Sequence, residues 1–264
     1  MPEVTIASIM ATTVSFTFPN CARPSSQRVE ALLSGCAHYF KSDLPLFISG
    51  YNELCREELK GGRILEICCG AGELAAGMAR IFPKTEVIAL DCYPEAGGAL
   101  KEAVAKDGLQ NAHYLCGDAL RLTQFADATF DLVYGQATLH HLAHQCGVLR
   151  DELARVLKPG GRLMFLFEPL GHNPVWAMIR AWRISRREMG DESNLFVSQL
   201  EYIARPFSSC QVQPFNLFGY PFKFLSRLGG FPIFSLIHRT DTWLMKRSLR
   251  LARMAANFNV VFTK

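Results

Sequence analysis

No stretch of this 264-residue chain approaches the roughly 18 to 20 uninterrupted apolar residues that a membrane-spanning helix needs. No cation precedes Arg23, so a basic secretory leader is not expected. The nine cysteines are odd in number and contain no CxxC pair, with Cys68 and Cys69 adjacent, which excludes a disulfide scaffold and a zinc ribbon. That usage belongs to a reducing compartment, and a soluble, cytoplasmic protein is expected. There is no internal repeat and no low-complexity tract. With 49% apolar and 20% charged residues, disorder and collagen-like architectures are out. What is present is enough chain to bury one large core, or a core with a cap. The net charge of +4 is unevenly spread. Residues 1–169 carry 15 basic and 19 acidic side chains, whereas residues 170–264 carry 13 and 5. Such a basic part suits a solvated cap surface, an anionic substrate, a membrane surface or nucleic acid.

Residues 62–169 alternate strand-like and helix-like segments, as in an α/β sheet of parallel strands. Short apolar runs predict strands at 63–68, 87–91, 112–116, 130–134 and 162–167. Leu74, Ala75, Met78 and Ile81 recur at helical spacing up to Pro83, and Pro94 suits the first turn of a second helix ending near Gly108. A third helix is expected from about His140 to Leu157, stopped by the turn Lys158-Pro159-Gly160-Gly161. Residues 1–61 read as an N-terminal arm and helices. Residues 170–264 read as two late strands, near 210–215 and 259–263, with aromatic and basic helical insertions.

Gly70-Ala71-Gly72 follows a strand and opens a helix, which lets a ligand approach the backbone near a helix N-terminus. With Ala75 and Asp91 it also fits a dinucleotide fingerprint, so an NAD-dependent oxidoreductase has to be weighed. Three features oppose that. Glu66 lies inside the first strand, where a carboxylate is costly without a partner such as an amine. Asp118 ends the third strand, and Leu157-Lys158-Pro159-Gly160-Gly161 enters the fifth.

In order along the chain, Leu65-Glu66-Ile67-Cys68-Cys69-Gly70-Ala71-Gly72, Leu90-Asp91, Gly117-Asp118-Ala119, Phe130-Asp131-Leu132-Val133, Leu139-His140-His141-Leu142 and Leu157-Lys158-Pro159-Gly160-Gly161 resemble the motif series of class I S-adenosylmethionine-dependent methyltransferases. The resemblance covers about residues 60–169. It implies a Rossmann-like, mostly parallel sheet with an antiparallel last strand and a helical, aromatic-rich cap inserted late. It implies S-adenosyl-L-methionine as cofactor, with S-adenosyl-L-homocysteine as product. It assigns Glu66 and Gly70 to the methionine end, Asp91 to both ribose hydroxyls, and Cys92 to the adenine face, with Cys68 and Gly72 also among the cofactor-binding residues. Asp118 and Ala119 would meet the adenine edge, and Gly135 and Gln136 would sit near the methyl group. Cys68 departs from the pattern, because the family usually has glycine there.

Methyl transfer to a hydroxyl needs a base as well as a held nucleophile. His140, His141 and Glu168 are the candidates; the alternative for the two histidines is simply to begin a helix. His140 and His144 have helical metal-ligand spacing but lack the glutamate of HExxH and an acidic third ligand, so no metal is expected. The aromatic runs Asn216–Leu225 and Gly230–Phe234 suit an apolar acceptor pocket or plain packing. A basic amphipathic helix from Trp243 to Ala256 would place Met245, Leu249, Ala252 and Ala256 on one face, either packed on the domain or in weak contact with a membrane surface. The family's signature for methylating nucleobase amines is missing after strand four, which disfavours nucleic acid. The expected acceptor is a hydrophobic or aromatic small molecule methylated on oxygen or nitrogen. RNA or protein methylation with the same core, and a non-methylating protein that retains the cofactor, are the alternatives.

Overall fold

The computed structural model describes residues 12–18, 26–35, 50–55, 61–187, 193–218 and 236–264. Among the described residues eight strands form one sheet: β1 (Val14–Phe16), β2 (Arg63–Ile67), β3 (Glu86–Asp91), β4 (Ala112–Cys116), β5 (Phe130–Gln136), β6 (Leu157–Pro169), β7 (Ser209–Phe215) and β8 (Asn257–Thr263). Their order is β1-β7-β8-β6-β5-β2-β3-β4. Every neighbouring pair is parallel except the two that β8 makes, with β6 and with β7. This is the Rossmann-like sheet with an antiparallel last strand that the sequence led one to expect.

The central strands are mostly apolar on both faces because helices cover both. The helices described from end to end are α1 (Gln27–Gly35), α2 (Glu73–Ile81), α3 (Gly98–Asp107), α4 (Leu139–Leu142), α5 (Cys146–Val156), α6 (Pro174–Arg187), α7 (Val197–Ala204) and α8 (Leu249–Arg253), and residues 50–54 and 236–247 are helical as well. One core packs α5 and α7 on Val133, Phe165, Val212 and Val260, while the other packs α1, α2 and α3 on Ile64, Ala89, Leu132 and Met164. The order reverses between β2 and β5. Ligands in open α/β sheets bind in the crevice at such a point, beyond the carboxyl ends of the strands.

Several boundaries differ from the sequence reading. The N-terminal arm supplies an edge strand, β1, parallel to β7. Strand β6 begins at Leu157, not Arg162: Leu157 pairs with Phe130, the turn Lys158–Gly161 is passed as an irregularity, and the ladder with β5 resumes at Leu132 and Arg162. Gly160 there has φ +75°, and a Cβ on Gly161 would stand 2.8 Å from the Lys158 carbonyl oxygen. Pro94 lies in a turn, and α3 starts four residues later behind Gly97, whose φ is +72°. The helix expected from His140 is split into α4, a 3₁₀ turn (Ala143–Gln145) and α5. The helix expected over 243–256 is interrupted at Ser248, whose hydroxyl accepts the Leu251 N–H and restarts the chain as α8. Leu249 is consequently exposed rather than on the packed face. Of the aromatic runs, residues 219–235 lie outside the described residues. Leu217 is buried and Phe218 exposed.

Candidate active site

Strand β2 buries Leu65, Glu66 and Ile67 in succession and then turns sharply. Cys68 has φ +51°, Gly70 +53° and Gly72 +79°. Gly72 serves two needs, the left-handed backbone and space, since a Cβ there would lie 2.8 Å from the Leu100 Cβ. Nothing stands within 4 Å of the corresponding point on Gly70, so a ligand has free access to that backbone. The turn is pinned from β3, where Asp91 accepts the Gly70 N–H at 2.9 Å and the Tyr93 N–H at 3.2 Å. A carboxylate offers about four acceptor sites, so two remain for hydroxyl donors.

Glu66 is buried at 4% exposure. Tyr134, its direct neighbour in the β2–β5 ladder, donates its hydroxyl to the Glu66 carboxylate at 3.2 Å. Burial nevertheless pushes the Glu66 carboxyl up to about 8, against the opposing pull of the Tyr134 hydroxyl and the Ala75 N–H. At neutral pH the acid is therefore protonated until a cation joins it. The unfolded chain ionises this group from about 4.5 upward and the folded chain only near 8. Folding takes up a proton between those values, and stability falls as pH rises through that window. Urea denaturation across it should show a slope approaching about 1.4 kcal/mol per pH in the wild type that Glu66→Gln lacks. Parallel pH profiles for the two proteins would contradict this.

A cavity of about 220 Å³ opens over the turn, lined among others by Tyr51, Glu66, Cys68, Gly70, Gly72 and Gln136. Gln136 ends β5 and accepts the Tyr51 hydroxyl at 2.9 Å. Gly135, just before it, is required by the tight entry to α4, because a Cβ would lie 2.9 Å from that of Thr138. Neither Tyr51 nor Tyr134 was singled out as a site residue from the sequence. Cys92 is exposed beyond β3, and its carbonyl faces the Cys116 thiol at 3.6 Å. Asp118 is exposed beyond β4, where it accepts the Leu120 N–H at 2.8 Å; Ala119 beside it is buried. Burial, and then the nearby negative charge of Asp91, push the Cys68 thiol up to about 12.

The base candidates separate. Glu168, at the end of β6, is completely buried and saturated. One oxygen accepts the N–H groups of Thr138 and Leu139 at 2.6 and 2.7 Å. The other accepts the His140 N–H at 3.2 Å and faces His140 Nδ1 at 2.8 Å. It thus anchors the start of α4. His141 is exposed, its ring 4.1 Å from that of His140. Neither histidine lines the cavity.

Cys68 occupies a left-handed conformation that costs a non-glycine residue about 1–2 kcal/mol. Cys68→Gly relieves it at a chain-entropy cost of about 0.5–1 kcal/mol. The variant should fold with a stability within about 1 kcal/mol of wild type and hold ligand equally well or better. Melting curves and calorimetry check this; a folded variant with markedly poorer affinity would reveal a thiol contact of its own.

The sheet is a Rossmann-like α/β fold with acids at its strand ends, and comparison with known proteins narrows it. Residues 64–161 match the family described as a methyltransferase domain. A demethylmenaquinone methyltransferase of Listeria monocytogenes is 33% identical over 121 residues, 46% of this chain and 50% of that protein. An uncharacterized methyltransferase of Schizosaccharomyces pombe is 36% identical over 108 residues, 39% of this chain and 38% of the other. The match thus spans about half the length, or less, of these curated relatives. Among solved structures, phosphoethanolamine N-methyltransferase 2 of Haemonchus contortus, in complex with S-adenosyl-L-methionine, superposes with a TM-score of 0.54 at 21% identity, over 77% of this chain and 48% of that one. Geranyl diphosphate C-methyltransferase of Streptomyces coelicolor gives 0.54 at 12%, over 83% and 78%. Both show the fold. Over residues 64–161 this chain is similar to methyltransferase domains.

Proposed function

We propose that the protein is an S-adenosyl-L-methionine-dependent methyltransferase that methylates oxygen or nitrogen of a hydrophobic or aromatic small molecule. The observation that carries this is the cavity beside Gly70, with a buried acid in need of a cation on one side and Asp91 with spare acceptor capacity beneath. Those residues fit the cofactor. Glu66 would receive its ammonium end, the open Gly70 backbone its methionine carboxylate region, and Asp91 the two ribose hydroxyls. Cys92, Asp118 and Ala119 form the shelf for adenine, while Gly135, Gln136 and Cys68 border the reacting end. When bound, the sulfonium supplies the transferable methyl and most of the reactivity. The protein's part is to hold the acceptor in line and exclude water. His140, whose Nδ1 is engaged by Glu168, keeps Nε2 for a hydroxyl proton, from a buried position outside the cavity lining that the acceptor would have to reach. Glu168 positions it. Relatives named for demethylmenaquinone methylation, matched over about half of their length, support a lipophilic acceptor. Calorimetry with S-adenosyl-L-methionine tests the core of this reading, followed by extract labelling with methyl-labelled cofactor and mass spectrometry of the product. Absence of cofactor binding to the folded chain would refute it. A labelled RNA or protein would replace the acceptor class.

A further inference from the structure

Beyond the ends of β6 and β8, on the same edge of the sheet as the cavity, the chain turns apolar side chains toward water. The helix at 236–247 and α8 expose Leu236, Trp243, Leu249 and Met254, and α6 exposes Val175 and Met178, the latter at 68%. The packing of this region is already made by the opposite face, where Met245, Ala252 and Ala255 are buried against Leu217. Exposed cations are interleaved with the apolar tips: Arg239, Lys246, Arg247, Arg250 and Arg253. Arg247 lies over the Trp243 ring at 3.7 Å. The one acid between residues 236 and 256, Asp241, is buried and accepts the Phe218 N–H. The sequence of α6 adds four arginines and no acid. The two segments are tied together, since Asn173 caps α6 through the Val175 N–H and donates its amide to the Met254 carbonyl at 3.1 Å.

We propose that this face docks the protein on the surface of an anionic phospholipid bilayer. Indole and aliphatic tips suit the headgroup–acyl boundary, while Lys and Arg beside them meet the lipid phosphates. A nucleic acid would satisfy the cations but would leave Val175, Met178, Leu236 and Leu249 in water. Among the described residues no helix is long and apolar enough to cross a membrane, so the contact is peripheral. Docking there would turn the cavity's edge of the sheet toward the lipid phase, from which a lipophilic acceptor would enter. That consequence rests on the methyltransferase reading; the docking itself does not, and vesicle binding and cofactor binding fail separately.

The test is sedimentation of the full chain with vesicles of equal parts phosphatidylglycerol and phosphatidylcholine, against phosphatidylcholine alone. Partition onto the anionic vesicles is expected, falling as salt is raised. Each cation near the surface contributes roughly fivefold, so Lys246→Ala with Arg250→Ala should lower partition by more than tenfold. Trp243→Glu and Met178→Glu should lower it comparably. All four side chains are exposed, and unchanged melting curves would verify the fold. Failure to partition, equal partition onto neutral vesicles, or indifference to these substitutions overturns the proposal. Retention of an RNA oligonucleotide without vesicle binding overturns it in favour of a nucleic-acid partner.

Discussion

Asp91→Ala should weaken binding of S-adenosyl-L-methionine by tenfold at the least, and by closer to a hundredfold if both hydroxyl contacts form. A bond to a charged acceptor contributes about 1.5–3 kcal/mol, and Asp91 has room for two beyond those it already makes. The substitution does further harm. Asp91 also holds the Gly70 N–H at 2.9 Å, so its loss frees the turn whose left-handed residues shape the cavity floor. Asp91→Asn separates the two contributions, because one oxygen can still accept from Gly70 while the charge is gone. It should fall between wild type and alanine. Calorimetry on both variants, with melting curves as a control for folding, provides the measurement. Unchanged affinity in a folded Asp91→Ala protein would remove the cofactor from this site.

The parts of the molecule that were legible in the sequence share one physical property: their signals are local. Strands β2 to β4 are short apolar runs closed by glycine or aspartate, and their carboxyl ends carry Gly70, Asp91 and Asp118 where an α/β sheet binds ligands. β1 gave no such signal. It is three residues long, and its partner Cys210 stands 196 positions from Val14. The start of β6 was hidden for a different reason. Pro159, Gly160 and Gly161 do turn, with Gly160 at φ +75°, yet β5 pairs on both sides of them, at Leu157 and at Arg162, so the strand runs through the turn. Ser248 marked a helix start inside what periodicity took for one helix, and a one-residue change of phase put Leu249 into solvent.

The site divided in the same way. Glu66 was conspicuous because a carboxylate inside an apolar strand demands an explanation. Its partner Tyr134 became visible only with the register that sets it opposite Glu66. Tyr51 precedes the first core strand, and no spacing rule brings it to Gln136, 85 residues away. The two histidines were equivalent in the sequence; burial and the Glu168 contact distinguish them.

That distinction gives the second large effect. Glu168→Ala would leave the N–H groups of Thr138, Leu139 and His140 without their acceptor in a buried place, and would empty the volume of the side chain. Removing one partner from a buried, hydrogen-bonded pair typically costs about 3–5 kcal/mol, so this variant should lose a large share of the protein's stability and α4 its fixed start. Glu168→Gln retains an acceptor oxygen but turns an amide NH₂ toward groups that already donate, so it should be destabilised less and still misplace His140. His140→Ala leaves Glu168 with its three backbone bonds and should fold. If the acceptor is a hydroxyl, losing a positioned base costs roughly 10²–10⁴ in kcat while cofactor affinity stays near wild type. His141→Ala, at an exposed ring, should change neither. Denaturation curves and steady-state kinetics on the true acceptor separate these roles. A stable Glu168→Ala protein would show that α4 does not depend on this carboxylate. Near-wild-type kcat for His140→Ala would leave orientation alone to carry the transfer, as expected for an amine acceptor that enters the pocket already neutral.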